Sequence, residues 1–234
     1  MNTSESEIIK KNIIELRKKV AEAALKSNRN PEDIKIIAVT KTVEPERIAM
    51  AVNEGIYDLG ENRVQELCEK YDKINKECNW HLIGHLQKNK VKYIVDKVKM
   101  IHSLDSISLA NEIQKRAERI NRVIDVLVQV NVANEPSKYG ISCNEAIDFI
   151  KELSSLSNIK VKGLMTIAPL AENQENVRWV FRELRNLYID ISKENIHNID
   201  MEYLSMGMSN DYQVAIEEGS NMVRIGTAIF GPRQ

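Results

Sequence analysis

The stretch from Leu204 to Gly231 contains two short apolar runs, each followed by a glycine and a hydroxyl side chain. The first run leads to Gly207 and Ser209, and the second leads to Gly226 and Thr227. A serine ahead of a helical segment is a good N-cap, and the free N–H groups of such a helix start can bind an anion. Glycine allows the backbone to approach a ligand closely. Two neighbouring strand ends of this kind predict a phosphate site, although two ordinary capped turns would have the same sequence.

Two cations accompany this predicted phosphate site. Lys41 follows an apolar run, residues 36–39, so we expect apolar walls around its stem. Desolvation lowers the pKa of an ammonium, as a Schiff-base lysine requires. Arg224 alternates with Val223 and Ile225, so its guanidinium lies on the opposite face of that strand, where a ligand oxygen or ring nitrogen could pair with it. A solvated loop lysine and an arginine paired with a buried carboxylate remain the alternatives.

The rest of the chain alternates strand-like and helix-like segments. An amphipathic helix is predicted over residues 5–27, with Ser4 or Ser6 as its cap. Predicted strands cover residues 35–40, 57–59, 80–83, 100–103, 125–131, 160–166, 202–205 and 222–225. Predicted helices cover residues 45–54, 63–74, 88–98, 107–120, 144–157, 173–193 and 211–218, and an eighth helix, after the last strand, is predicted to be short or missing.

Eight strand–helix units predict an α/β fold, a single (β/α)8 TIM barrel with an extra N-terminal helix, in one domain over residues 1–234. A doubly wound open sheet is the alternative. Closure of the barrel would place the last strand beside the first, and so bring Lys41 to the phosphate loops at the carboxyl-terminal face. A lysine for an aldehyde, a phosphate cradle and an arginine between them describe a site for pyridoxal 5'-phosphate.

Composition excludes several other classes of protein. The chain has 234 residues, 43% of them hydrophobic and 29% charged, and its net charge of −1 gives no bulk attraction to nucleic acid or membrane. Three unpatterned cysteines and the lack of an apolar leader or spanning segment predict a cytoplasmic protein. His81 and His85 have a metal-like spacing, but Gly84 interrupts them and no third ligand follows, so we expect no metal site.

Beyond these local features, the chain resembles the YggS/PROSC family of pyridoxal phosphate homeostasis proteins over nearly its whole length. The resemblance rests on several blocks in order, in addition to the tail. These blocks are AVTKTV (38–43), GENRVQE (60–66), WHLIGHLQKNK (80–90), IHSLDS (101–106), QVNVANEPSKYGI (129–141) and GLMTIAP (163–169). It implies a fold-type III pyridoxal phosphate barrel similar to the N-terminal domain of alanine racemase.

The resemblance also assigns roles to individual residues. It implies that Lys41 forms the Schiff base with the cofactor and that Arg224 faces the pyridine nitrogen. Asn62 would lie near the ring. Ser209, Gly226 and Thr227 would hold the phosphate. Apart from the resemblance, Lys138 is a second lysine in a predicted loop of the same face, and it is either simply exposed or able to accept or pass on the aldehyde.

The function implied by the resemblance is to bind the cofactor and to act in vitamin B6 and amino-acid balance, without established turnover. An arginine at the ring nitrogen disfavours ring protonation and so weakens carbanion chemistry. The alternatives are a weak amino-acid racemase or lyase that uses the cofactor, a Schiff-base aldolase without cofactor, and a pure interaction module. We expect a monomer whose partners are the cofactor and, beyond it, apoenzymes that require it.

Overall fold

Residues 4–74 and 77–232 are described in the computed structural model, and they form a closed barrel in which eight parallel strands follow one another in sequence order. The strands are β1 (Lys35–Val39), β2 (Asp58–Glu61), β3 (Asn79–Leu82), β4 (Val98–Leu104), β5 (Ile124–Gln129), β6 (Ile159–Met165), β7 (Ile199–Met208) and β8 (Met222–Ile225). Pairing of β1 with β8 closes the barrel and puts Ile37 opposite Arg224. The predicted barrel is confirmed. Of the predicted domain 1–234, residues 1–3, 75–76 and 233–234 lie outside the described part.

Helices connect the strands and pack around them. They are α1 (Glu5–Lys26), α2 (Pro45–Asn53), α3 (Val64–Tyr71), α4 (Ile107–Arg119), α5 (Ala146–Leu153), α6 (Arg178–Lys193), α7 (Tyr212–Glu217) and α8 (Thr227–Phe230). Short 3-10 helices cover Pro31–Asp33, Lys88–Tyr93, Cys143–Glu145 and Gln174–Val177. Over the part of the chain described here, no helix combines the length and the apolar character that crossing a bilayer requires.

The N-terminal helix α1 packs beside α8, which has only four residues. The side chain of Ser4 accepts the N–H of Glu7, and the Glu7 carboxylate accepts the N–H of Ser4, so a capping box starts the helix. Its buried stripe packs against α2, α7 and α8. Asn12 Nδ2 donates to the carbonyl of Ile229 at 2.9 Å. Helix α1 therefore covers apolar surface that the four-residue α8 is too short to bury.

Two separate apolar clusters show how the strands divide their side chains. The large cluster lies between strands and helices and includes Val223 and Ile225. The small one lies inside the barrel and contains Ile37, Met100, Leu127, Met165 and Met222. Because side chains alternate along β8, Met222 and Arg224 point to the interior together. The predicted placement of Arg224 on the interior face is confirmed.

Several predicted elements have other bounds in the structure. Helix α6 starts at Arg178 rather than at residue 173, because a 3-10 helix over Gln174–Val177 precedes it. Residues 88–98 form a 3-10 helix only over Lys88–Tyr93 rather than a longer helix, and the N–H groups of Ile94 and Lys97 bond three residues back. The 3-10 helix and the turn after it bury the β-branched Val91, Ile94 and Val95, which have little χ1 freedom in an α-helix. Helix α5 starts two residues later than predicted, at Ala146, because a 3-10 turn precedes it. Strand β7 extends to Met208, because Met208 still pairs with Arg224.

Candidate cofactor site

A cavity of about 430 Å³ opens at the carboxyl-terminal end of the barrel. This volume is within the range of about 300–1,000 Å³ that is usual for small-molecule sites. Five of the six residues singled out from the sequence line it: Lys41, Ser209, Arg224, Gly226 and Thr227. The sixth, Asn62, lines a neighbouring depression together with Arg63 and His85. The fold therefore brings together the other five predicted contacts, whereas Asn62, directly after β2, lies at the same end of the barrel but lines a separate depression.

Lys41 lies two residues beyond the end of β1, in a turn whose two neighbouring residues are both anchored. On one side, the N–H of Thr40 donates to the carbonyl of Gly60, and its Oγ1 donates to Glu61 Oε1 at 2.7 Å. On the other side, the N–H of Thr42 donates to Glu66 Oε2 at 2.9 Å. Thr42 has a φ of 60°, which is unusual for a β-branched residue. The backbone at Lys41 is thus fixed from both directions.

Lys70 connects these anchors. Its ammonium donates to Glu61 Oε1 at 2.7 Å, to the Thr40 carbonyl at 2.8 Å and to Glu66 Oε2 at 3.2 Å. Glu61 is fully buried, and burial raises its pKa even though the bonds from Lys70 and Thr40 favour the charged form. This cluster was not predicted from the sequence. The only signal for it was the block GENRVQE, which contains both carboxylates.

Arg224 forms part of the cavity floor and is only 3% exposed. Its Nη1 donates to the carbonyl and to Oγ of Ser205, each at 2.7 Å, and its Nη2 donates to the carbonyl of Thr166 at 2.8 Å. Burial lowers the pKa of Arg224 to about 10, while the charge of Asp211 acts in the opposite direction. The guanidinium is therefore still cationic at neutral pH. A carboxylate salt bridge, the structural alternative for this arginine, is absent from its described hydrogen bonds.

The two glycine-bearing loops are joined directly to each other. The N–H of Gly226 donates to Ser209 Oγ at 3.3 Å. The expectation that Ser209 caps the following helix is wrong, because the N-cap residue of α7 is Asp211. The Asp211 carboxylate accepts the N–H of Met208 and so closes the turn that presents Ser209. Helices α7 and α8 have only six and four residues. An anion at this end of the barrel would therefore be bound by the polar groups of the loops rather than by a long helix dipole.

The remaining wall of the cavity is largely apolar. The loop after β6, residues 167–171, and Val177 form one side, and Lys138 approaches from the loop after β5. The Lys138 ammonium pairs with Glu135 Oε1 at 2.5 Å. A pocket with one apolar wall, an amine, a buried cation and a hydroxyl-lined rim suits a flat, anionic, carbonyl-bearing molecule.

A further group of polar residues lies beneath this cavity and was not predicted as a group. His81, on the interior side of β3, contacts Asp58 and His102. Within residues 4–74 and 77–232, no cluster of three or more His, Cys, Asp or Glu side chains could hold a metal ion. His85 lies outside this group, because its ring stacks on Tyr139 with ring centroids 3.8 Å apart.

Comparison with known proteins gives the relatives of this chain. The model of the alanine racemase N-terminal domain family matches residues 11–234. A pyridoxal phosphate homeostasis protein of Aquifex aeolicus is 46% identical over 217 residues, which cover 92% of this chain and 94% of the relative. The structure of PipY from Synechococcus elongatus with pyridoxal phosphate bound superposes with a TM-score of 0.83 at 30% identity, covering 95% of this chain and 100% of PipY.

An alanine racemase of Clostridium difficile shares the fold at a TM-score of 0.71 and 18% identity, and the alignment covers 97% of this chain but only 57% of the racemase. At that identity the likeness concerns the barrel alone. The chain belongs to the alanine racemase N-terminal domain family and, within it, to the relatives named pyridoxal phosphate homeostasis proteins.

Proposed function

We propose that this member of the family binds pyridoxal 5'-phosphate in the cavity at the carboxyl-terminal end of the barrel, as a Schiff base with Lys41. Its role is intracellular homeostasis of this cofactor, and hence of vitamin B6 and amino acids. The observation that carries the proposal is that Lys41, Arg224 and the joined loops of Ser209 and Gly226 line one cavity. The PipY relative with bound pyridoxal phosphate has the same fold.

The residues present fit this cofactor. Bound pyridoxal phosphate supplies an aldehyde, a phosphate dianion and an electron-withdrawing ring. The bonds at Thr40 and Thr42 fix the backbone on both sides of Lys41, whose side chain lines the cavity and would supply the amine for the aldehyde. Ser209 and Thr227 offer hydroxyl groups to the phosphate, and Gly226 lets the backbone come close. Asn62 would contact the ring from the edge of its neighbouring depression.

Arg224 supports a role in holding the cofactor rather than in fast turnover. A cationic guanidinium facing the ring nitrogen opposes protonation of that nitrogen, since two positive charges would then meet. An unprotonated ring accepts electrons less readily, and carbanion chemistry on a bound amino acid slows accordingly. We therefore propose that the chain has no dedicated enzymatic activity. Weak racemase or lyase chemistry is the outcome that an assay with amino acids would detect.

We further propose that the protein acts in the cytoplasm. Its three cysteines are free thiols, as suits a reducing cytoplasm. Leu170 is 92% exposed on the cavity rim beside Ile167, so apolar side chains are available at the mouth. We propose that apoenzymes requiring the cofactor receive it there, from a monomeric donor.

The decisive experiment is the visible absorption spectrum of the purified protein with added pyridoxal phosphate, before and after borohydride reduction. We expect a yellow Schiff-base band in the wild type that reduction fixes covalently to Lys41. Lys41→Ala should lose both the band and the adduct, and Lys92→Ala, at an exposed position, should keep them. A covalent adduct that remains in Lys41→Ala and disappears in Lys138→Ala would assign the linkage to Lys138 instead. A wild type that stays colourless would disprove the proposal.

A further inference from the structure

A line of polar side chains crosses the otherwise apolar interior of the barrel. It runs from Asp58, at the start of β2, through His81 on β3, His102 on β4 and Ser205 on β7 to Arg224 on β8. We call these five residues the interior relay. Around it, the interior is filled by the methionine-rich cluster described above. Buried polar groups in such a setting are costly unless they bond to one another.

Every link of the interior relay is within hydrogen-bond distance. Asp58 Oδ1 lies 3.0 Å from His81 Nε2, and His81 Nδ1 lies 2.9 Å from His102 Nε2. His102 Nδ1 lies 3.1 Å from Ser205 Oγ, which lies 2.7 Å from Arg224 Nη1. The four residues from His81 to Arg224 are at most 3% exposed, so water has little access to these links.

The donors and acceptors of the relay can be arranged in only one consistent direction when both histidines are neutral. Ionised Asp58 accepts only, so His81 Nε2 carries the proton and donates to it. His81 Nδ1 is then an acceptor, and His102 Nε2–H donates to it. His102 Nδ1 is an acceptor in turn, so the Ser205 hydroxyl donates to His102. The lone pairs of Ser205 Oγ are left for the Nη1–H of Arg224.

The charge states required by this arrangement follow from the surroundings. Burial alone would raise the pKa of Asp58, but the bond from His81 and the charge of Lys35, 3.7 Å away, hold it below its usual value. Asn79 Nδ2 also donates to Asp58 at 3.2 Å. Burial lowers the pKa of His81 despite Asp58, and burial together with the charges of His81 and Arg224 lowers that of His102 further. At neutral pH, Asp58 is charged and both rings are neutral.

We propose that Asp58, His81, His102 and Ser205 are positioning residues for Arg224. The Asp58 carboxylate, at the end of the barrel opposite the cavity, fixes both histidine tautomers and the rotamer of the Ser205 hydroxyl. It thereby holds the Arg224 guanidinium in the orientation that faces the ring of the ligand. The ligand part of this inference rests on the proposed function, whereas the tautomers belong to the protein alone. Cooperative chains of this kind polarise one another, so Ser205 Oγ becomes a better acceptor than an isolated hydroxyl.

The first test needs no ligand. Nitrogen-15 NMR of the histidine rings in the apo protein at pH 7 should show His81 and His102 both neutral, with the proton on Nε2 in each. In Asp58→Asn, the amide can either accept from or donate to His81, so we expect a second population with Nδ1 protonated. The control is Asp125→Asn. Asp125 is the second residue of β5, at the same end of the barrel as Asp58, and its substitution should leave the wild-type tautomers unchanged. A wild-type ring protonated on Nδ1 would overturn the relay.

The second test measures the affinity for pyridoxal phosphate and the absorption spectrum of the bound ligand. Ser205→Ala cuts the link to Arg224, and we expect its affinity for pyridoxal phosphate to fall about fivefold, the effect of losing one hydrogen bond. The absorption maximum of the bound ligand should shift in Ser205→Ala and in Asp58→Asn. Ser103→Ala is the matched control, since its buried hydroxyl bonds to the Gly84 carbonyl outside the relay. Urea unfolding of each variant identifies those that are folded.

The outcomes separate this inference from the proposed function. If folded Ser205→Ala and Asp58→Asn bind the ligand with wild-type affinity and spectrum, the relay does not position Arg224, and the proposed function stands. If the wild type binds no pyridoxal phosphate, the proposed function and the ligand part of the inference both fail. The NMR result then decides the tautomers by itself.

Discussion

Lys70 Nζ lies 2.8 Å from the carbonyl oxygen of Thr40, the residue immediately before Lys41, and donates a hydrogen bond to it. The same ammonium bonds to buried Glu61. A lysine on α3 thus holds the end of β1, where the candidate Schiff-base lysine begins its turn. The barrel brings these groups together although about 30 residues of chain separate them.

Lys70→Met tests this support. Removing one partner of a buried ion pair leaves an uncompensated charge, so we expect the free energy of unfolding in urea to fall by about 3–5 kcal/mol. Lys73→Met, at an exposed position just after α3, should change it by less than about 0.5 kcal/mol. The double variant Lys70→Met/Glu61→Leu should recover much of the loss, because neither charge then remains. A loss in Lys70→Met no larger than in Lys73→Met would contradict this account.

Ser209→Ala should separate phosphate binding from ring binding. We expect its affinity for pyridoxal phosphate to fall about tenfold, because a hydrogen bond to a charged group is stronger than one between neutral groups. Its affinity for pyridoxal, which lacks the phosphate, should stay within about twofold of the wild type. Thr227→Ala should behave in the same way. Ser142→Ala, in the loop after β5, is the control. Equal losses for both ligands would argue against the phosphate assignment.

Gly207→Ala should show why the first loop requires glycine. Gly207 has a φ of 94°, and an added Cβ would lie 2.7 Å from the Cβ of Ala215. Gly231 has a similar φ of 81° but nothing within 4 Å of an added Cβ. With φ 81° and ψ 179°, Gly231 lies in a region that is essentially restricted to glycine, so we expect Gly231→Ala to cost about 2 kcal/mol of unfolding free energy from backbone strain alone, and Gly207→Ala to cost about 4 kcal/mol from strain and crowding. Equal losses would show that crowding at Ala215 relaxes freely.

The buried histidines should make stability fall in mild acid. Their pKa values are lowered in the folded protein, mainly by burial, so below pH 7 the unfolded chain binds protons that the folded chain does not. Stability should therefore fall as the pH drops through about 6.5, by about 1.4 kcal/mol per pH unit for each such histidine. Asp58, whose folded pKa is also lowered, should add its own loss only below about pH 4.

The histidine variants test this pH dependence. His102→Gln removes one histidine that takes up a proton only when the chain unfolds. Between pH 7 and pH 5.5, unfolding of this variant should therefore take up about one proton fewer than unfolding of the wild type, and its unfolding free energy should change less with pH. His197→Gln, at an exposed position, should retain the wild-type dependence. Urea unfolding at several pH values measures both. A His102→Gln slope equal to that of the wild type would mean that the ring titrates alike in the folded and unfolded chains.

Much of the fold could be predicted because the signals for it are local. Apolar periodicity predicted every strand of the barrel to within a few residues, and the count of units predicted closure. The segment 88–98 was mispredicted because a short run of β-branched residues and lysines has nearly the same pattern in a 3-10 helix as in an α-helix. The start of α7 was predicted to within one residue, but its N-cap was mispredicted because Ser209 and Asp211 are both good N-cap residues.

The sequence by itself determined the family, the barrel, the position of Lys41 after β1 and the interior face of Arg224, because each follows from neighbours along the chain or from whole-length resemblance. Only the tertiary structure decided that Lys70 supports the Lys41 turn, that Ser209 bonds to Gly226, that Asn62 lies in the neighbouring depression, and that Asp58 reaches Arg224 through two histidines. These contacts join residues from different strands and helices. Their distances depend on strand register and barrel stagger, which periodicity along one chain does not specify.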